Sequence, residues 1–542
     1  MSGTGTIESL TLGAERRPGA LSKQMSRPSE TRILSDLLAA VPGAELAGSG
    51  SVAVSGITYR SAEARPGWLF FCVPGTRVDG HEYAAEAVDR GAVAVVSQRR
   101  LSLDSSVSQV VVPSVREAMG PVAAAFHGYP ADRLVMVGVT GTNGKTTTTY
   151  LLEEVFRAAG LIPGVIGTTG IRVDGRPVGY DRTTPEAPDL HRLLAAMVEE
   201  GVGAVAMEVS SHGLDQHRVG GIRYGCAVFT NLSQDHLDYH GSLEEYFRAK
   251  ALLFTPAMAD RAAINHDSPE GRALVRDDLP TLTYGLGPDA GLRGEDLEVE
   301  AEGLRFRADG LEVRSRLRGA FNAHNCLAAL AASRQVGIDD HAAVAGIAAL
   351  AGVPGRMEPV EAGQPFLVVV DYAHTPDSLE NVLRASRPLA GSHRVIAVFG
   401  CGGDRDRSKR PIMGQVATRL AALTVVTSDN PRSEDPLEII AEIEPGARRG
   451  GGRYVVEPDR RAAIRLALTE ASPGDVVVVA GKGHETGQEF ADGTIPFDDR
   501  VVARQELEGM PGVVGRAGRR DPPGQDLTRR ADPPKGNGER GG

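Results

Sequence analysis

Short apolar runs alternate with longer amphipathic stretches along most of the chain. Apolar runs of strand length lie near residues 134–140, 163–167, 203–209 and 225–230, and the stretches between them have helical spacing. A second series of such runs lies near residues 366–371, 393–400, 422–428, 452–456 and 475–480. Strands that alternate with helices predict two α/β units, and the first is expected to have a mostly parallel sheet covered on both faces.

The segment from Arg32 to about Pro130 has a different pattern. Short strand-like runs are bounded by turn residues and joined by a short helix, which predicts a small α/β domain. The helix should begin near Asp79. The residues expected to face inward from it are Tyr83, Ala84, Ala87 and Val88.

These patterns divide the 542-residue chain into three units, at residues 29–130, 131–352 and 353–512. Residues 1–28 and 513–542 are polar and rich in Gly, Pro and Arg, so we expect disordered tails there. Composition narrows the class of protein. With 41% apolar and 24% charged residues the chain has the composition of a soluble globular protein, and no apolar run is long enough to span a membrane.

Charge and cysteine content exclude several function classes. A net charge of −11 argues against general nucleic-acid binding. The four cysteines are scattered, with no pair spaced for zinc and no disulfide framework. The amino terminus lacks the basic-then-apolar order of a signal peptide, so we expect a cytoplasmic protein that does not insert into membranes, and a monomer.

The strongest chemical signal is a glycine-bearing turn between the strand at 134–140 and a helix. Gly141 and Gly144 let backbone N–H groups turn inward, and the start of the helix supplies partial positive charge. Lys145 is placed to reach terminal phosphates, and the Thr146 hydroxyl can ligate Mg²⁺. The stretch therefore predicts a nucleotide-binding loop.

The loop is a variant, since Val139 stands where the standard motif has its first glycine. Its sequence Thr-Gly-Thr-Asn-Gly-Lys-Thr-Thr resembles the loop of the Mur ligase family, the ATP-dependent amide-forming enzymes of peptidoglycan precursor synthesis. The resemblance implies three domains: an N-terminal UDP-binding domain, a central P-loop ATPase domain with a parallel sheet, and a C-terminal Rossmann-like domain. It also implies an ATP site formed by Gly141, Thr142, Asn143, Gly144, Lys145, Thr146, Thr147 and Asn322.

Asn322 lies in Gly319–Asn325, which resembles the family's segment beside the adenine, and Asn265 is a weaker adenine candidate. A carboxylate that closes an apolar strand is where P-loop proteins place their metal-directed acid, so Glu208 is the first metal candidate. His236, after the next strand, resembles the family's other metal ligand, although a lone histidine there is more often structural.

The helical spacing of Lys250 predicts that its side chain is buried. Ser242 and Glu245 occupy capping-box positions, and Leu243, Phe247 and Lys250 then fall on one helical face that should be buried. A buried ammonium must snorkel, pair or change chemically. The resemblance implies that this lysine is carbamylated by CO₂, and a plain buried ion pair is the alternative. The implied catalytic set is Lys145, Glu208, His236 and Lys250, and the implied Mg²⁺ ligands are Thr146, Glu208, His236 and Lys250.

Residues near 50–130 resemble the UDP-binding domain of the family members that add the third residue of the stem peptide. The turn that usually reads Asp-Ser-Arg reads Tyr59–Ala62 here, and Ser61 retains the match. The resemblance implies that Ser61, Thr76, Arg77 and Val78 contact the uridine diphosphate. The resemblance also implies that the muramoyl dipeptide is bound by Thr183, Thr184, Ser210, Gln216 and Arg218, whose hydroxyl, amide and guanidinium groups suit it.

Three loops at strand ends should converge in the last unit, at residues 400–407, 429–432 and 481–485. A substrate with two amino-acid ends needs a guanidinium for its distal carboxylate and an acid for its distal ammonium, as Arg432 and Glu485 provide. The sequence Asp-Asn-Pro-Arg resembles the family members that accept meso-diaminopimelate. The implied site is Arg405, Asp429, Asn430, Pro431, Arg432, Gly481 and Glu485.

The resemblance, over about residues 50–510, implies an ATP-dependent ligase that adds meso-diaminopimelate to UDP-N-acetylmuramoyl-L-alanyl-D-glutamate through an acyl-phosphate. Three alternatives stay open: an L-lysine-adding ligase of the same family, which Arg432 disfavours, a P-loop ATPase of another class, and a non-catalytic nucleotide-binding subunit.

Overall fold

The computed structural model describes residues 31–75, 78–178, 183–300 and 302–510. Both predicted tails lie outside the described residues, as do Thr76 and Arg77. Within the described ranges, no helix combines the length and the apolar content that a membrane crossing requires.

The first unit contains a five-stranded sheet in the order β2-β7-β6-β5-β4, beside a separate β1-β3 pair. Its strands are β1 (Arg32–Ile33), β2 (Glu45–Ala47), β3 (Ala53–Val54), β4 (Gly56–Thr58), β5 (Trp68–Phe71), β6 (Ala94–Ser97) and β7 (Ser108–Val111). Its helices are α1 (Leu34–Leu38), α2 (Ala84–Asp89) and α3 (Val115–Phe126), with 3₁₀ turns at Ser61–Glu63, Gly80–Tyr83 and Pro130–Arg133.

The helix predicted after Asp79 begins as the 3₁₀ turn and becomes α-helical only at Ala84. Ala84 and Ala87 are buried as predicted. Tyr83 was wrongly predicted to face inward, and its side chain is 39% exposed. The reason is that a 3₁₀ turn has three residues per turn, so side chains before Ala84 do not follow the α-helical spacing.

The second unit contains an eleven-stranded sheet in the order β11-β10-β9-β12-β8-β13-β14-β15-β16-β17-β18. Its strands are β8 (Val135–Thr140), β9 (Pro163–Gly167), β10 (Gly170–Val173), β11 (Arg176–Val178), β12 (Ala204–Glu208), β13 (Cys226–Phe229), β14 (Ala262–Asn265), β15 (Thr281–Gly285), β16 (Leu292–Glu300), β17 (Gly303–Ala308) and β18 (Leu311–Ser315). Its helices are α4 (Lys145–Ala158), α5 (Ala187–Glu199), α6 (Ser211–Asp215), α7 (Leu237–His240), α8 (Leu243–Ala251), α9 (Pro269–Leu274), α10 (Asn322–Gln335) and α11 (Asp340–Ala349).

The four strands predicted in this unit are confirmed as β8, β9, β12 and β13, and every pair from β9 to β16 in this order is parallel. The antiparallel strands at the two ends of the sheet were not predicted. The sheet is buried on both faces. Val137 and Val139 pack with α4 and α10, while Met136 packs on the opposite face with α5.

The third unit contains a six-stranded sheet in the order β19-β20-β24-β21-β22-β23, parallel except for β19. Its strands are β19 (Glu358–Pro359), β20 (Leu367–Asp371), β21 (Val395–Phe399), β22 (Leu423–Val426), β23 (Arg453–Val456) and β24 (Val476–Ala480), with a hairpin of β25 (Gly487–Phe490) and β26 (Gly493–Pro496). Its helices are α12 (Pro376–Ala390), α13 (Lys409–Leu420), α14 (Pro436–Gly450), α15 (Arg460–Glu470) and α16 (Asp499–Glu508).

All five strands predicted in this unit are confirmed. Thr375 caps α12 in a reciprocal contact with Ser378. The α/β class with a central parallel sheet and a Rossmann-like last unit is therefore confirmed. The loops that follow the strands of the second and third units meet. Asn143 Nδ2 donates to Asp377 Oδ2 at 2.7 Å, and Gln234 Nε2 donates to Asp406 Oδ2 at 3.0 Å.

Candidate active site

A cavity of about 740 Å³ lies where the second and third units meet. Its walls are the loop before α4, the ends of β12, β13 and β14, the start of α10, and the segment from Asp371 to Val382. Ligands of open parallel sheets bind at the carboxyl ends of the strands. The cavity is at that edge of the central sheet.

The loop before α4 has the backbone that its glycines were expected to allow. Gly141 and Gly144 both have positive φ, at 147° and 86°. A Cβ on Gly141 would lie 1.9 Å from Thr230 Oγ1, and one on Gly144 would lie 2.4 Å from Asn325 Oδ1. Gly144 caps α4 without a side chain, so the first amides of the helix face the cavity as an anion-binding end. This geometry fits a polyphosphate.

Lys145 begins α4, and its ammonium folds back on its own loop. Nζ donates to the carbonyl oxygens of Gly141 and Thr142, each at 2.9 Å. Burial lowers its pKa, and the nearby Glu208 and Asp235 oppose that shift. The ammonium thus lies against the glycine-bearing loop, with two of its three donors bonded to backbone oxygens.

Lys250 is buried, as its spacing predicted, with a side chain in contact with the same loop. Its Nζ donates to the carbonyl oxygen of Gly141 at 2.9 Å, the oxygen that also accepts from Lys145. Its Nζ also lies 4.3 Å from the centroid of the Tyr246 ring. Burial, and next the charge of Lys145, hold the pKa of Lys250 well below its usual range.

The buried face of α8 differs from the predicted stripe by one position. Leu243 was wrongly placed on it, since its side chain is 43% exposed, whereas Tyr246, Ala249 and Lys250 are buried. Ser242 caps the helix by accepting from the Glu245 amide at 3.1 Å. The cap therefore fixes the start of the helix, and packing against the P-loop decides which face is buried.

Glu208 ends β12 with its carboxylate buried in the cavity wall. Its Oε1 accepts from the backbone amide of Thr168, and its Oε2 accepts from the Thr168 hydroxyl, each at 2.9 Å. Both oxygens are therefore held in one orientation by the loop after β9. A carboxylate fixed in this way suits a divalent cation.

His236 also lines the cavity, and burial lowers its pKa to about 3. It is consequently a neutral imidazole near pH 7, which is the form that binds a metal ion. Its Nε2 lies 3.3 Å from Asp235 Oδ2, and its ring centroid lies 6.1 Å from that of Tyr246. Among the described residues, no group of three or more His, Cys, Asp and Glu side chains is arranged to hold a metal.

The residues present fit a nucleotide with Mg²⁺. The hydroxyl of Thr146, the carboxylate of Glu208 and the neutral ring of His236 all line the one cavity that holds the phosphate-binding amides. Oxygen and imidazole donors are suitable ligands for a hard divalent cation. Arg356, which precedes β19, donates from Nη2 to the Thr146 hydroxyl at 3.2 Å and adds positive charge from the third unit.

Asn322, the predicted adenine-site residue, does not line the cavity. Asn322 is engaged within its own segment, donating to the Arg318 carbonyl at 2.7 Å and accepting from Asn325 at 2.7 Å. Phe321, His324 and Asn325 line the cavity instead, together with Asn265. At the start of α10, the residues next to Asn322 therefore line the cavity, and the Asn322 side chain does not.

The residues predicted for the dipeptide form one cluster beside the cavity. Thr184 Oγ1 is 3.1 Å from Ser210 Oγ, and the Thr184 carbonyl accepts from Arg218 Nη1 at 3.2 Å. Arg218 Nη2 donates to Gln216 Oε1 at 2.6 Å. Thr183 and Ser210 reach the cavity wall, so this cluster joins the nucleotide site.

The uridine-site candidates that the structure describes lie on the first unit. Ser61 donates to Glu86 Oε2 at 2.8 Å, and Val78 is 56% exposed. Neither lines the cavity.

The three loops of the third unit converge as predicted. The Gly403 amide donates to the Asn430 carbonyl at 2.9 Å, and Asn430 Nδ2 donates to Glu485 Oε2 at 2.8 Å. Arg432 Nη1 donates to the Gly403 carbonyl at 2.8 Å, and its Nε pairs with Glu489 Oε2 at 2.7 Å. Within the described residues Nη2 of Arg432 has no hydrogen-bond partner.

The other members of the predicted set surround that convergence. Arg405 is exposed and donates only to the Asp404 carbonyl at 2.9 Å among the described contacts. Pro431 is buried, and Asp429 is buried with its Oδ2 lacking a hydrogen-bond partner in the described structure. A Cβ on Gly481, whose φ is 121°, would lie 2.3 Å from that oxygen. The loops thus bring cationic and anionic groups into one small region.

His484 connects this region with the nucleotide cavity, in addition to the contact between Gln234 and Asp406. His484 Nε2, next to Glu485, lies 3.3 Å from the carbonyl oxygen of Thr168, the residue that holds Glu208. Tyr372 lines the cavity, and its ring centroid lies 5.1 Å from that of His484. The amino-acid loops and the phosphate loop therefore face one another in this arrangement.

Comparison with known proteins agrees with the geometry. The Mur ligase middle domain matches residues 139–333, the Mur ligase glutamate ligase domain matches residues 355–483, and the Mur ligase catalytic domain matches residues 53–127. A protein of Geobacillus thermodenitrificans (strain NG80-2), UDP-N-acetylmuramoyl-L-alanyl-D-glutamate--2,6-diaminopimelate ligase, is 48% identical over 88% of this chain and 99% of its own length. The chain belongs to the Mur ligase family.

Other members of the Mur ligase family give the same result. A protein of the same name from Streptomyces avermitilis is 45% identical over 88% of this chain and 98% of its own length. A solved structure of a UDP-N-acetylmuramoyl-L-alanyl-D-glutamate--2,6-diaminopimelate ligase superposes with a TM-score of 0.63 at 35% identity, covering 89% of this chain and 99% of that one. The three-domain Mur ligase architecture is thereby confirmed.

Several residues at this Mur ligase site were missed from the sequence. Thr168, Arg356 and Asp377 contact candidate residues across loops that are distant in sequence, and no local pattern marks them. Lys482 had a usable signal, since it lies between the two glycines that precede Glu485 and is fully buried. Spacing alone could not show which group it contacts.

Proposed function

We propose that this protein joins meso-2,6-diaminopimelate to UDP-N-acetylmuramoyl-L-alanyl-D-glutamate, with ATP as the energy source, in peptidoglycan precursor synthesis. One observation carries the proposal: Thr168 contacts both Glu208, beside the phosphate-binding loop, and His484 of the third unit. The phosphate-binding loop therefore faces the site that contains Arg432 and Glu485. The names of the relatives support it, because they specify this acceptor and this amino acid.

The first chemical step transfers the γ-phosphoryl group of ATP to the side-chain carboxylate of D-glutamate, giving an acyl-phosphate and ADP. The amides at the start of α4 and the ammonium of Lys145 bind the phosphates, and Arg356 adds a second cation near Thr146. Mg²⁺ held by Thr146, Glu208 and His236 would neutralise charge on the transferring group. For this step Lys145 must leave the carbonyl oxygens that it contacts here.

Lys250 has a chemical reason to be carbamylated. Two ammonium groups donate to the single carbonyl oxygen of Gly141, so each stands in the field of the other. Reaction of the neutral Lys250 amine with CO₂ forms an N–C bond, releases one proton and converts the side chain into an anion. The product would face Lys145 as an opposite charge and add an oxygen ligand to the cation site.

The second step is attack of an amine of diaminopimelate on the acyl-phosphate, which gives the amide and phosphate. The distal end of that amino acid carries a carboxylate and an ammonium. Arg432 and Arg405 have donors for the carboxylate, while Glu485 and Asp429 have acceptors for the ammonium. L-Lysine lacks the distal carboxylate and would leave both guanidinium groups unused.

The proposal also assigns the three units. Residues 29–130 would bind the uridine diphosphate, residues 131–352 would bind ATP, and residues 353–512 would bind the amino acid. Each of the three large sheets is built from one of these ranges, which supports the division. Two of the substrates, ATP and the UDP-linked dipeptide, are phosphorylated small molecules, so we place the reaction in the cytoplasm. A monomer stays a prediction.

The deciding experiment measures ADP formation by the purified protein with UDP-N-acetylmuramoyl-L-alanyl-D-glutamate and each amino acid in turn. We expect turnover with meso-diaminopimelate and little with L-lysine, and a tripeptide product by mass spectrometry. Equal ADP formation without the dipeptide would indicate a P-loop ATPase of another class. Preference for L-lysine would overturn the amino-acid assignment while preserving the ligase reaction.

A further inference from the structure

Lys482 carries a positive charge inside the third unit with no exposure to solvent. Its side chain is 0% exposed, and its Nζ has two polar contacts in the described structure. It donates to Asn430 Oδ1 at 2.7 Å and pairs with Glu485 Oε2 at 3.0 Å. An ammonium is seldom buried without partners that require it.

The first effect of Lys482 is on the amide of Asn430. The oxygen of that amide accepts from Lys482 and from the Glu489 backbone amide at 3.1 Å, so the nitrogen must face Glu485, to which it donates at 2.8 Å. An ammonium can only donate hydrogen bonds, and a flipped amide would present its own N–H groups to that ammonium. Lys482 consequently fixes the orientation of the Asn430 side chain.

The second effect is on the carboxylate of Glu485. Its Oε2 receives hydrogen bonds from both Asn430 and Lys482, and within the described residues its Oε1 has no partner. The two donors hold the carboxylate plane while leaving one oxygen for a ligand. Asp429 Oδ2, buried behind Gly481, is a second acceptor without a partner there.

We propose that Lys482 is a positioning residue for substrate recognition, which holds Asn430 and Glu485 so that a free carboxylate oxygen receives the distal ammonium of the amino acid. The inference rests on the proposed function. Lys482 does not contact the substrate, but through Asn430 and Glu485 it favours an amino acid with a distal ammonium. The physical basis is that a preorganised acceptor loses less entropy on binding than a mobile one.

The test compares two amino acids that differ only in the distal ammonium, meso-diaminopimelate and 2-aminopimelate. In Lys482→Met, which keeps most of the apolar stem, kcat/KM for diaminopimelate should fall about 10- to 100-fold, the loss expected for a charged hydrogen bond. The loss should come from a higher KM for diaminopimelate. The kcat/KM for 2-aminopimelate should change less than about twofold, because that ligand has no distal ammonium to contact the Glu485 carboxylate. The KM for ATP should not change.

Arg394→Met is the matched control. It removes an ion pair of the same unit, in which Arg394 contacts the buried carboxylate of Asp475 at 2.7 Å. These two residues precede β21 and β24, so they lie at the strand ends opposite to the amino-acid loops. It should destabilise the unit without changing the ratio of the two amino acids. Lys482→Arg retains the charge and should recover part of the discrimination.

Equal losses for both amino acids in Lys482→Met would leave their ratio unchanged, show a structural role only and overturn the proposal. Full retention of kcat/KM for diaminopimelate would also overturn it. Should Lys482→Met fail to fold, Lys482→Gln gives the same comparison, because its neutral amide can accept as well as donate and so does not fix the orientation of Asn430. Failure of the proposed function would be seen separately, as a wild-type protein that does not ligate diaminopimelate.

Discussion

Replacing Lys250 tests the idea that this buried amine becomes an anion. Both ammonium groups lie 2.9 Å from the Gly141 carbonyl oxygen. Two nitrogens that share one acceptor in this way are less than about 6 Å apart, and unit charges at that separation interact by about 3 kcal/mol or more at an effective dielectric constant of about 20. Carbamylation would convert this repulsion into an attraction of similar size and place an anion beside the metal-directed residues.

We expect Lys250→Ala to lower kcat by about 10²- to 10³-fold, the usual effect of removing one preorganised charge from a transition state. Formate or acetate should restore part of the activity by occupying the vacated space. Lys250→Glu, which carries a permanent carboxylate, should retain more activity than Lys250→Ala. The assay is steady-state ADP release with all three substrates, with the wild-type enzyme plus formate as the control for non-specific stimulation.

The pH dependence follows from the direction of the pKa shift. Because burial and Lys145 hold the pKa of Lys250 well below its usual range, the neutral amine that reacts with CO₂ is more populated than it would be in an exposed lysine. Acidification protonates the amine and releases CO₂, so wild-type activity should fall at low pH and recover with added bicarbonate. A ¹³C carbonyl signal from ¹³C-bicarbonate should appear in the wild type and be absent in Lys250→Ala.

Either of two results would refute this reasoning. The first is a Lys250→Ala enzyme as active as the wild type. The second is an inactive variant that no short carboxylate restores, together with a wild type that takes up no ¹³C. The second result would leave Lys250 as a buried cation paired with backbone oxygen.

Three further predictions concern other parts of the site. Lys145→Ala should abolish phosphoryl transfer while the fold persists, and near-normal ADP release would contradict its assigned contact with the phosphates. Arg432→Lys should raise the KM for diaminopimelate about 10-fold or more, because an ammonium cannot make the paired contact, and an unchanged KM would count against the site. Glu434→Gln should lower the free energy of unfolding near pH 7 by about 1–3 kcal/mol, since Arg410 then loses a charged partner. The hydrogen bond from Arg410 lowers the pKa of Glu434 from 4.5 to about 2, so this contribution is complete above 4.5 and is lost as the pH falls through about 2. Urea titrations that show the same difference at pH 7 and pH 2 would disprove that linkage.

Much of the fold was determined by the local sequence. The buried parallel strands have continuous apolar runs, and nine of them were located to within two residues at each end. Thr375 and Pro376 fixed the start of α12 because a hydroxyl cap and a proline in the first turn act on the adjacent backbone alone. At one end of the central sheet, β16 and β17 escaped prediction because their exposed polar positions interrupt the apolar runs.

Some residues of the site could likewise be predicted from local sequence, whereas others depended on contacts between distant segments. Gly141, Gly144 and Lys145 could be assigned from sequence, since a phosphate loop is a local structure whose amides and cation follow one another along the chain. The burial of Lys250 followed from helical spacing, but its shared acceptor did not, because Gly141 is 109 positions away. Which face of α8 is buried also depended on that distant loop.

The sequence by itself determined the class of fold, the phosphate loop and the three loops of the last unit, because each is encoded by neighbouring residues. Only the tertiary structure decided how these parts face one another. Thr168 between Glu208 and His484, and Lys482 beneath Asn430 and Glu485, are contacts between separate strand ends. Such contacts depend on the order and register of the strands, which no single stretch of sequence specifies.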